Sequence, residues 1–196
     1  MFVSSDGGGS ATSEVPVVAV KILVAGGFGV GKTTMVGSVS EIAPLRTEEL
    51  LTELSEDVDD LSGVEHKTTT TVAMDFGRIT INRHLVLYLF GTPGQDRFWF
   101  MWNELAAGAI GAVVLADTRR LDSSFASVDF FERRGIPFVI AVNCFDGAQL
   151  YTVPEVRAAL DADSVPVVLC DVRKRESSKE VLIALTEHVL SRSGRT

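Results

Sequence analysis

The sequence is poor in cysteine: its 196 residues include two, Cys144 and Cys170, and each lies within an apolar run. This usage favours free thiols in a reducing compartment over a disulfide framework, while the spacing leaves a bridge between the two cysteines open. Long hydrophobic runs are also missing, because the longest, Leu105 to Ala116, spans about a dozen residues and a bilayer requires ~20. With 46% hydrophobic residues, the composition predicts one domain with a full core.

Positive charge is the second shortage, since 18 Lys and Arg face 26 Asp and Glu, giving a net charge of −8. That balance argues against binding to nucleic acid or to an anionic membrane surface. The Ser/Gly-rich residues 1–14 lack the basic start and apolar centre of a signal peptide, and neither end carries a lipidation motif. We expect a cytoplasmic protein with a disordered tail over 1–14, a folded domain over 15–196 and no direct membrane insertion.

A complete phosphate-loop motif, G-x-x-x-x-G-K-[ST], runs from Gly26 to Thr33. The run before it, 17–25, is apolar and β-branched like a buried strand, and residues 33–39 favour a helix. In that context the glycines let backbone N–H groups surround a phosphate, whereas a glycine turn without a ligand is the alternative. Lys32 is predicted to reach the β- and γ-phosphates, and the Thr33 hydroxyl a magnesium ion. The predicted nucleotide contacts in this segment are Gly26, Phe28, Gly29, Val30, Gly31, Lys32, Thr33 and Thr34.

Strand and helix patterns alternate along the rest of the chain. Six strands with helices between them predict a mostly parallel, three-layer α/β fold of the P-loop NTPase class. The predicted strands are 17–25, 72–81, 84–90, 109–116, 136–143 and 166–170. The predicted helices are 33–39, 96–107, 123–134, 154–160 and 177–190.

The stretch 47–60, which follows a break at Pro44, places leucines at helical spacing and acidic residues between them. This pattern predicts a short amphipathic helix with a solvated acidic face. A docking surface for a basic partner is the alternative interpretation of the same charges.

Two further motifs follow predicted strands, where doubly wound sheets bind ligands. The run Gly91-Thr92-Pro93-Gly94-Gln95-Asp96-Arg97-Phe98 follows the third strand, and Asn143-x-x-Asp146 follows the fifth. With these motifs in this order, the chain from 17 to 190 resembles the Ras-like small GTPases. The sequence of the first run is similar to that of bacterial MglA-type GTPases and, above all, of the conservon (CvnD-type) GTPases of actinobacteria.

The resemblance implies roles near the γ-phosphate. Thr71 matches the switch I threonine that binds magnesium, with Thr69 or Thr70 as substitutes if the register differs. The amide of Gly94 would sense the γ-phosphate, and Gln95 would orient the attacking water, although a surface glutamine is the alternative. Catalysis is therefore predicted to rest on Gln95 and Lys32.

The resemblance also implies a base pocket. The Asp146 carboxylate would accept hydrogen bonds from the ring N–H and the amine of guanine. Asn143 would tie this loop to the phosphate loop, and ordinary turn residues are the alternative for both positions. Asp171, Val172 and Arg173 follow the last predicted strand, at the position of a family loop in which a backbone amide contacts the guanine carbonyl. The match is by position only.

Several positions depart from the family pattern. Gly91 replaces the aspartate that holds magnesium through water, and Asp75 is a candidate substitute unless it simply faces solvent. Cys144 replaces a lysine that stacks on the base. Phe28 replaces a small residue, so its ring would obstruct an arginine finger from a partner. Thr70 stands where the MglA branch carries an arginine, which leaves Arg97, Lys67 or Arg46 as internal candidates.

The resemblance implies a switch that binds GTP or GDP with Mg²⁺, hydrolyses GTP slowly, and works with a roadblock/LC7-type protein and a membrane-associated, histidine-kinase-like conservon protein. A non-hydrolysing scaffold, or pseudo-GTPase, is the alternative, and a P-loop kinase is disfavoured because no Arg-rich lid stretch is present. The aromatic run 98–102 is too long for one helix face, so Trp99 and Phe100 are predicted to be exposed for partner docking. Burial of the whole run is the alternative.

Overall fold

The computed structural model describes residues 16–43, 45–52, 69–94 and 100–194. Its centre is one seven-stranded sheet with the strand order β2-β3-β4-β1-β5-β6-β7. The strands are β1 Val18–Ala25, β2 Leu45–Thr52, β3 Thr69–Asn82, β4 Leu85–Gly91, β5 Ala109–Ala116, β6 Phe138–Asn143 and β7 Val167–Cys170. The β4-β1-β5-β6-β7 part is parallel, while β3 runs antiparallel to both β2 and β4.

Helices cover both faces of the sheet because the central strands are apolar on both faces. In β1, Leu23 and Ala25 join one core cluster, and Ile22 and Val24 join the other. The first cluster packs under α3 and includes Phe131, and the second packs under α1 and α5. The helices are α1 Lys32–Val39, α2 Trp102–Ala106, α3 Phe125–Arg134, α4 Val153–Ala159 and α5 Arg175–Ser193. This arrangement is the three-layer α/β fold that the alternation of strands and helices predicts.

All six predicted strands are present, but the sheet has a seventh, β2, at its edge. The predicted helix over 47–60 is therefore wrong over 47–52, which are strand. The reason is pairing: β2 forms an antiparallel ladder with β3 over its full length, from Leu45↔Phe76 to Thr52↔Thr69. Such long-range hydrogen bonding overrides a local helical spacing. Residues 53–60 and the predicted tail over 1–14 lie outside the described residues. The acidic side chains of 47–60 also lie outside them, so the predicted docking surface stays an alternative.

The helix predicted over 96–107 is described only from its middle onward. Phe100 and Met101 form a 3-10 turn that leads into α2, and 95–99 lie outside the described residues. The Trp102 side chain is buried against Phe130 and Phe131, with ring centroids 5.2 and 6.0 Å away. Phe100 is 57% exposed, which confirms its predicted exposure. Within the described part of the chain, no helix has the length and apolarity to cross a membrane.

Candidate functional site

The phosphate loop joins β1 to α1 through glycines with positive φ. Gly26 has φ 132°, Gly29 has φ 74°, and Gly31, the residue that caps α1, has φ 109°. L side chains rarely adopt these angles, so the loop depends on glycine at these positions. A run of such residues at the start of a helix gathers backbone N–H groups into an anion-binding nest. The predicted loop therefore has the backbone shape that phosphate binding requires.

Lys32 is the buried cation of this loop, with 9% of its surface exposed. Its Nζ donates to the carbonyl oxygens of Gly26 and Gly27 at 2.9 and 2.8 Å. Burial lowers the pKa of Lys32 to about 8, and the nearby Asp75 carboxylate opposes that shift. A partly desolvated ammonium inside a glycine nest is well placed to exchange these carbonyls for phosphate oxygens.

A cavity of about 500 Å³ opens beside the loop. Its walls come from the phosphate loop, from β3 and from the turn after β4, which together we call the phosphate end of the site. The lining residues are Phe28, Gly29, Gly31, Lys32, Thr33, Asp75, Thr92, Pro93 and Gly94. The Phe28 ring is 68% exposed at the edge of this cavity. The obstruction of an arginine from a partner by this ring stays a prediction.

Asp75 and Gly91 are direct neighbours across the β3–β4 ladder. A Cβ atom on Gly91 would stand 3.0 Å from the Asp75 Cβ, so the Asp75 side chain fills the space beside the glycine. The Thr33 hydroxyl donates to the Asp75 carboxylate at 2.5 Å. The strand aspartate therefore faces the site, and the solvent-facing alternative for Asp75 is wrong. A carboxylate and a hydroxyl are the hard oxygen groups that Mg²⁺ prefers, so these residues fit the predicted ion.

The turn after β4 lies against the phosphate loop. A Cβ on Gly94 would stand 2.5 Å from the Lys32 Nζ and 3.1 Å from the Gly27 carbonyl oxygen. A side chain at position 94 would crowd Lys32 and Gly27, and Gly94 lines the cavity. The contact of its amide with the γ-phosphate stays a prediction. Thr92 is buried in the same wall, and its hydroxyl has no hydrogen-bond partner among the described residues. Gln95 and the side chain of Thr71 lie outside the described part, so their roles stay predictions.

At the other end of the site, Asn143 ties three segments together. Its Nδ2 donates to the Val30 carbonyl at 3.0 Å, and its Oδ1 accepts from the Val172 amide at 3.3 Å. Gly31 allows this contact, since a Cβ there would lie 2.8 Å from the Asn143 Nδ2. The predicted tie between the Asn143 loop and the phosphate loop is thus present. We call residues 143–146 and 171–173 the base end of the site.

Asp146 is exposed, with 83% of its side-chain surface open, and is paired with Arg173. The Arg173 Nη1 and Nη2 donate to the two Asp146 carboxylate oxygens at 2.6 and 3.0 Å. Arg173 also bonds Asp171, and those hydrogen bonds hold the pKa of Asp171 at about 2. The backbone amides of 171–174 are all hydrogen-bonded within the protein, so an amide contact with guanine stays a prediction. Cys144 and Cys170 are free thiols, as predicted.

The sequence analysis missed Arg120, which lies in the turn between β5 and α3. Its Nη2 donates to the Phe28 carbonyl at 3.1 Å and stands 3.6 Å from where a Gly29 Cβ would be. The neighbouring Arg119 is fully engaged, because it binds both carboxylate oxygens of the buried Asp117 and stacks over Phe145. The carboxyl-end rule that selected the other turns applies equally to the turn after β5 and could have found Arg120.

None of the three arginine or lysine candidates that the sequence suggested can be compared with Arg120. Residues 67 and 97 lie outside the described residues, and for Arg46, which pairs with Asp75 in the β2–β3 ladder, the structure describes the backbone alone. Within the described part, Arg120 is an arginine whose guanidinium contacts the phosphate loop and pairs only loosely, at 3.7 Å, with Asp117.

Comparisons with known proteins identify a family and a fold. The model of a family described as "Conserved hypothetical ATP binding protein" matches residues 24–192. An uncharacterized protein of Methanocaldococcus jannaschii is 30% identical over 135 residues, which are 68% of this chain and 75% of that protein.

Two solved structures of the T. maritima FeoB iron transporter share the fold. Its G domain has a TM-score of 0.61 at 18% identity, with 87% of this chain and 99% of that one covered. The GDP form of its cytosolic domain has a TM-score of 0.63 at 19% identity, with 89% of this chain and 64% of that one covered. The molecule is therefore a nucleotide-binding protein with a P-loop GTPase-like fold.

Proposed function

The chain belongs to the family described as conserved hypothetical ATP-binding proteins, and from that premise we propose that it is a guanine-nucleotide switch that hydrolyses GTP slowly. The observation that carries the proposal is the hydrogen bond from Asn143 to the Val30 carbonyl, because it fixes the Asp146 loop beside the phosphate loop. One nucleotide can then reach Lys32 with its phosphates and Asp146 with its base.

Guanine is the base that suits Asp146. A carboxylate accepts from the two adjacent N–H groups of guanine, whereas adenine presents a ring acceptor at the corresponding position. Because Asp146 is exposed, the mismatch costs less than it would in a closed pocket, and we expect at least about tenfold preference for GTP over ATP. ATP is the competing ligand, since the family description names it.

Magnesium would be held by the Thr33 hydroxyl and, directly or through water, by Asp75, with Thr71 as a further predicted ligand. The ion would supply positive charge beside the β- and γ-phosphates. Lys32 would bind the same phosphates, and Gln95 would orient the attacking water for in-line transfer. We place Arg120 over the loop as a cation of this chain near the phosphates, in place of an arginine from a partner.

Slow turnover follows from this arrangement. The exposed Phe28 would narrow the route for an external arginine, and the proposed magnesium site would take its aspartate from β3, where small GTPases use the turn after β4. Intrinsic rates without a finger lie at about 10⁻⁴ s⁻¹, and with Arg120 contributing we expect this protein within about tenfold above that value. A scaffold that binds nucleotide without hydrolysis is the alternative.

The switch would act through the segment around α2. Phe100 is exposed beside the buried Trp102, and Trp99 precedes it, so we propose these two aromatic residues as the nucleotide-dependent contact for a roadblock/LC7-type partner. Through that partner and a histidine-kinase-like conservon protein, a cytoplasmic switch would reach the membrane. Phe100→Ala should weaken capture of the partner at least about tenfold and leave GTP affinity within about threefold.

Competition titrations test the base assignment. In the first assay, GTP or ATP is titrated against a fluorescent guanine nucleotide bound to the full chain. In the second assay, the release of phosphate in a single turnover is measured with each nucleotide. Preferential displacement by GTP with slow release supports the proposal. Equal displacement, or a preference for ATP, would show that Asp146 does not read guanine. Binding without any release would favour the scaffold.

A further inference from the structure

Arg173 pairs with both oxygens of the Asp146 carboxylate. Its Nη1 and Nη2 donate to separate oxygens of Asp146, at 2.6 and 3.0 Å. This pairing is bidentate, with two parallel N–H groups directed at one carboxylate. Guanine offers the same pattern, since its ring N–H and its amine are parallel donors on one edge.

We propose that Arg173 mimics guanine: it pairs with the Asp146 carboxylate and competes with guanine for it. This inference rests on the proposed function, because it assigns a regulator to the same site. Adenine has no such donor pair, so it cannot replace what Arg173 gives up. Arg173 would therefore lower affinity for guanine nucleotides while leaving affinity for adenine nucleotides unchanged.

When Arg173 releases Asp146, its guanidinium still has a hydrogen-bonded carboxylate partner. Asp171, 15% exposed, accepts from the Arg173 Nε at 2.8 Å and from Nη2 at 3.0 Å. Its carboxylate also accepts from the Arg173 amide at 3.1 Å, which fixes the turn that carries the side chain. Arg173 can thus exchange the exposed Asp146 for solvent while it keeps its more buried partner.

The exposure of the pair sets the size of the effect. Arg173 and Asp146 have 54% and 83% of their side-chain surfaces open to solvent. Exposed ion pairs contribute little, so competition for Asp146 is worth about two- to fivefold in affinity. Removal of Arg173 should raise affinity for GTP and GDP by that factor and change affinity for ATP less than about 1.5-fold.

The test compares Arg173→Ala and Arg173→Lys with the wild-type full chain by displacement of a fluorescent guanine nucleotide at fixed Mg²⁺. Arg173→Lys keeps a cation but loses the paired donors, so we expect it to bind GTP at least as tightly as wild type. Lys174→Ala is the matched control, because Lys174 is 74% exposed and approaches Asp171 at 3.6 Å. It should leave GTP affinity within about 1.5-fold.

The outcomes separate this inference from the proposed function. Tighter GTP binding by Arg173→Ala, with ATP unchanged, supports the mimic. Weaker or unchanged GTP binding in a variant that melts at the wild-type temperature overturns it, while GTP preference in the wild type would keep the proposed function. If neither wild type nor variant prefers guanine, the proposed function itself fails, and the mimic fails with it.

Discussion

The two ends of the site are built from different materials. The phosphate end is built around backbone at glycines with positive φ and a lysine that is 9% exposed. The base end presents charged side chains, and its carboxylate at Asp146 is 83% exposed. Asn143 joins the two ends through its hydrogen bonds to Val30 and Val172.

This difference determines how strongly each end should respond to mutation. A buried charge that loses its role leaves desolvated groups behind, which is costly. An exposed pair is screened by water, and its loss changes little. We therefore expect binding affinity to come mainly from the phosphate end and discrimination between bases to come from the base end.

The largest expected effect comes from Lys32→Ala, which removes the one buried cation described at the phosphate end. We expect GTP and GDP affinity to fall at least about a hundredfold, or about 2.7 kcal/mol. Isothermal titration calorimetry measures the loss. Lys179→Ala is the control, because Lys179 lies on α5 and pairs with Glu176. If Lys32→Ala binds within about tenfold of wild type, the base end contributes more than this comparison allows.

Asp75 and Gly91 allow a swap within the phosphate end. Asp75→Asn should raise the free Mg²⁺ needed for half-maximal GTP binding about tenfold, because the carboxylate beside Thr33 is lost. Asp75→Gly combined with Gly91→Asp should recover most of that loss, because glycine at position 75 removes the Cβ that an aspartate at position 91 would contact. Gly91→Asp alone should destabilise the fold, because its Cβ would lie 3.0 Å from the Asp75 Cβ.

The readout for this swap is GTP affinity as a function of free Mg²⁺, with Asp129→Asn on α3 as the charge control. A double variant that still needs as much Mg²⁺ as Asp75→Asn would show that Asp75 acts on Thr33 alone.

Arg120 tests whether the phosphate end also includes an exposed side chain. Arg120→Ala should slow single-turnover hydrolysis of GTP about tenfold, or about 1.4 kcal/mol in the barrier, and leave GDP affinity within about threefold. Arg120→Lys should recover part of the rate because it keeps a charge. Arg133→Ala, 80% exposed on α3, is the control. An unchanged rate in Arg120→Ala would leave this arginine as a structural contact to the Phe28 carbonyl.

The fold followed from the sequence wherever the apolar pattern was unambiguous. Central strands such as β1 and β5 are apolar on both faces, and the predicted bounds of β5 match the observed ones. Most of the edge strand β2 was predicted as helix, because the apolar residues of 47–60 follow a helical spacing and only the ladder with β3 reveals the strand. Strand pairing of that kind is a long-range interaction that one segment does not encode.

The site divides along the same line. The glycines, Lys32 and Thr33 were predictable, because the motif specifies a backbone geometry. The positions of Asp75 beside Gly91, Arg120 over Phe28 and Arg173 on Asp146 depend on which strands and turns become neighbours. These three contacts were not predicted, although the resemblance had singled out Asp75 as a candidate and the place of Arg120 after β5 could have marked that residue.

The smallest expected effect is the uptake of protons when nucleotide binds, and it tests the burial of Lys32. Burial lowers the pKa of Lys32 to about 8, so at pH 8 about half of the free protein carries a neutral amine. Phosphates favour the charged form and raise that pKa, so nucleotide binding should take up about half a proton at pH 8 and about a tenth at pH 7. GTP affinity should accordingly fall as the pH rises above 8. Calorimetry in buffers of different ionisation enthalpy measures the uptake. Uptake below about a tenth of a proton at pH 8 would mean that Lys32 is already fully charged, and that the phosphate end is wetter than its burial implies.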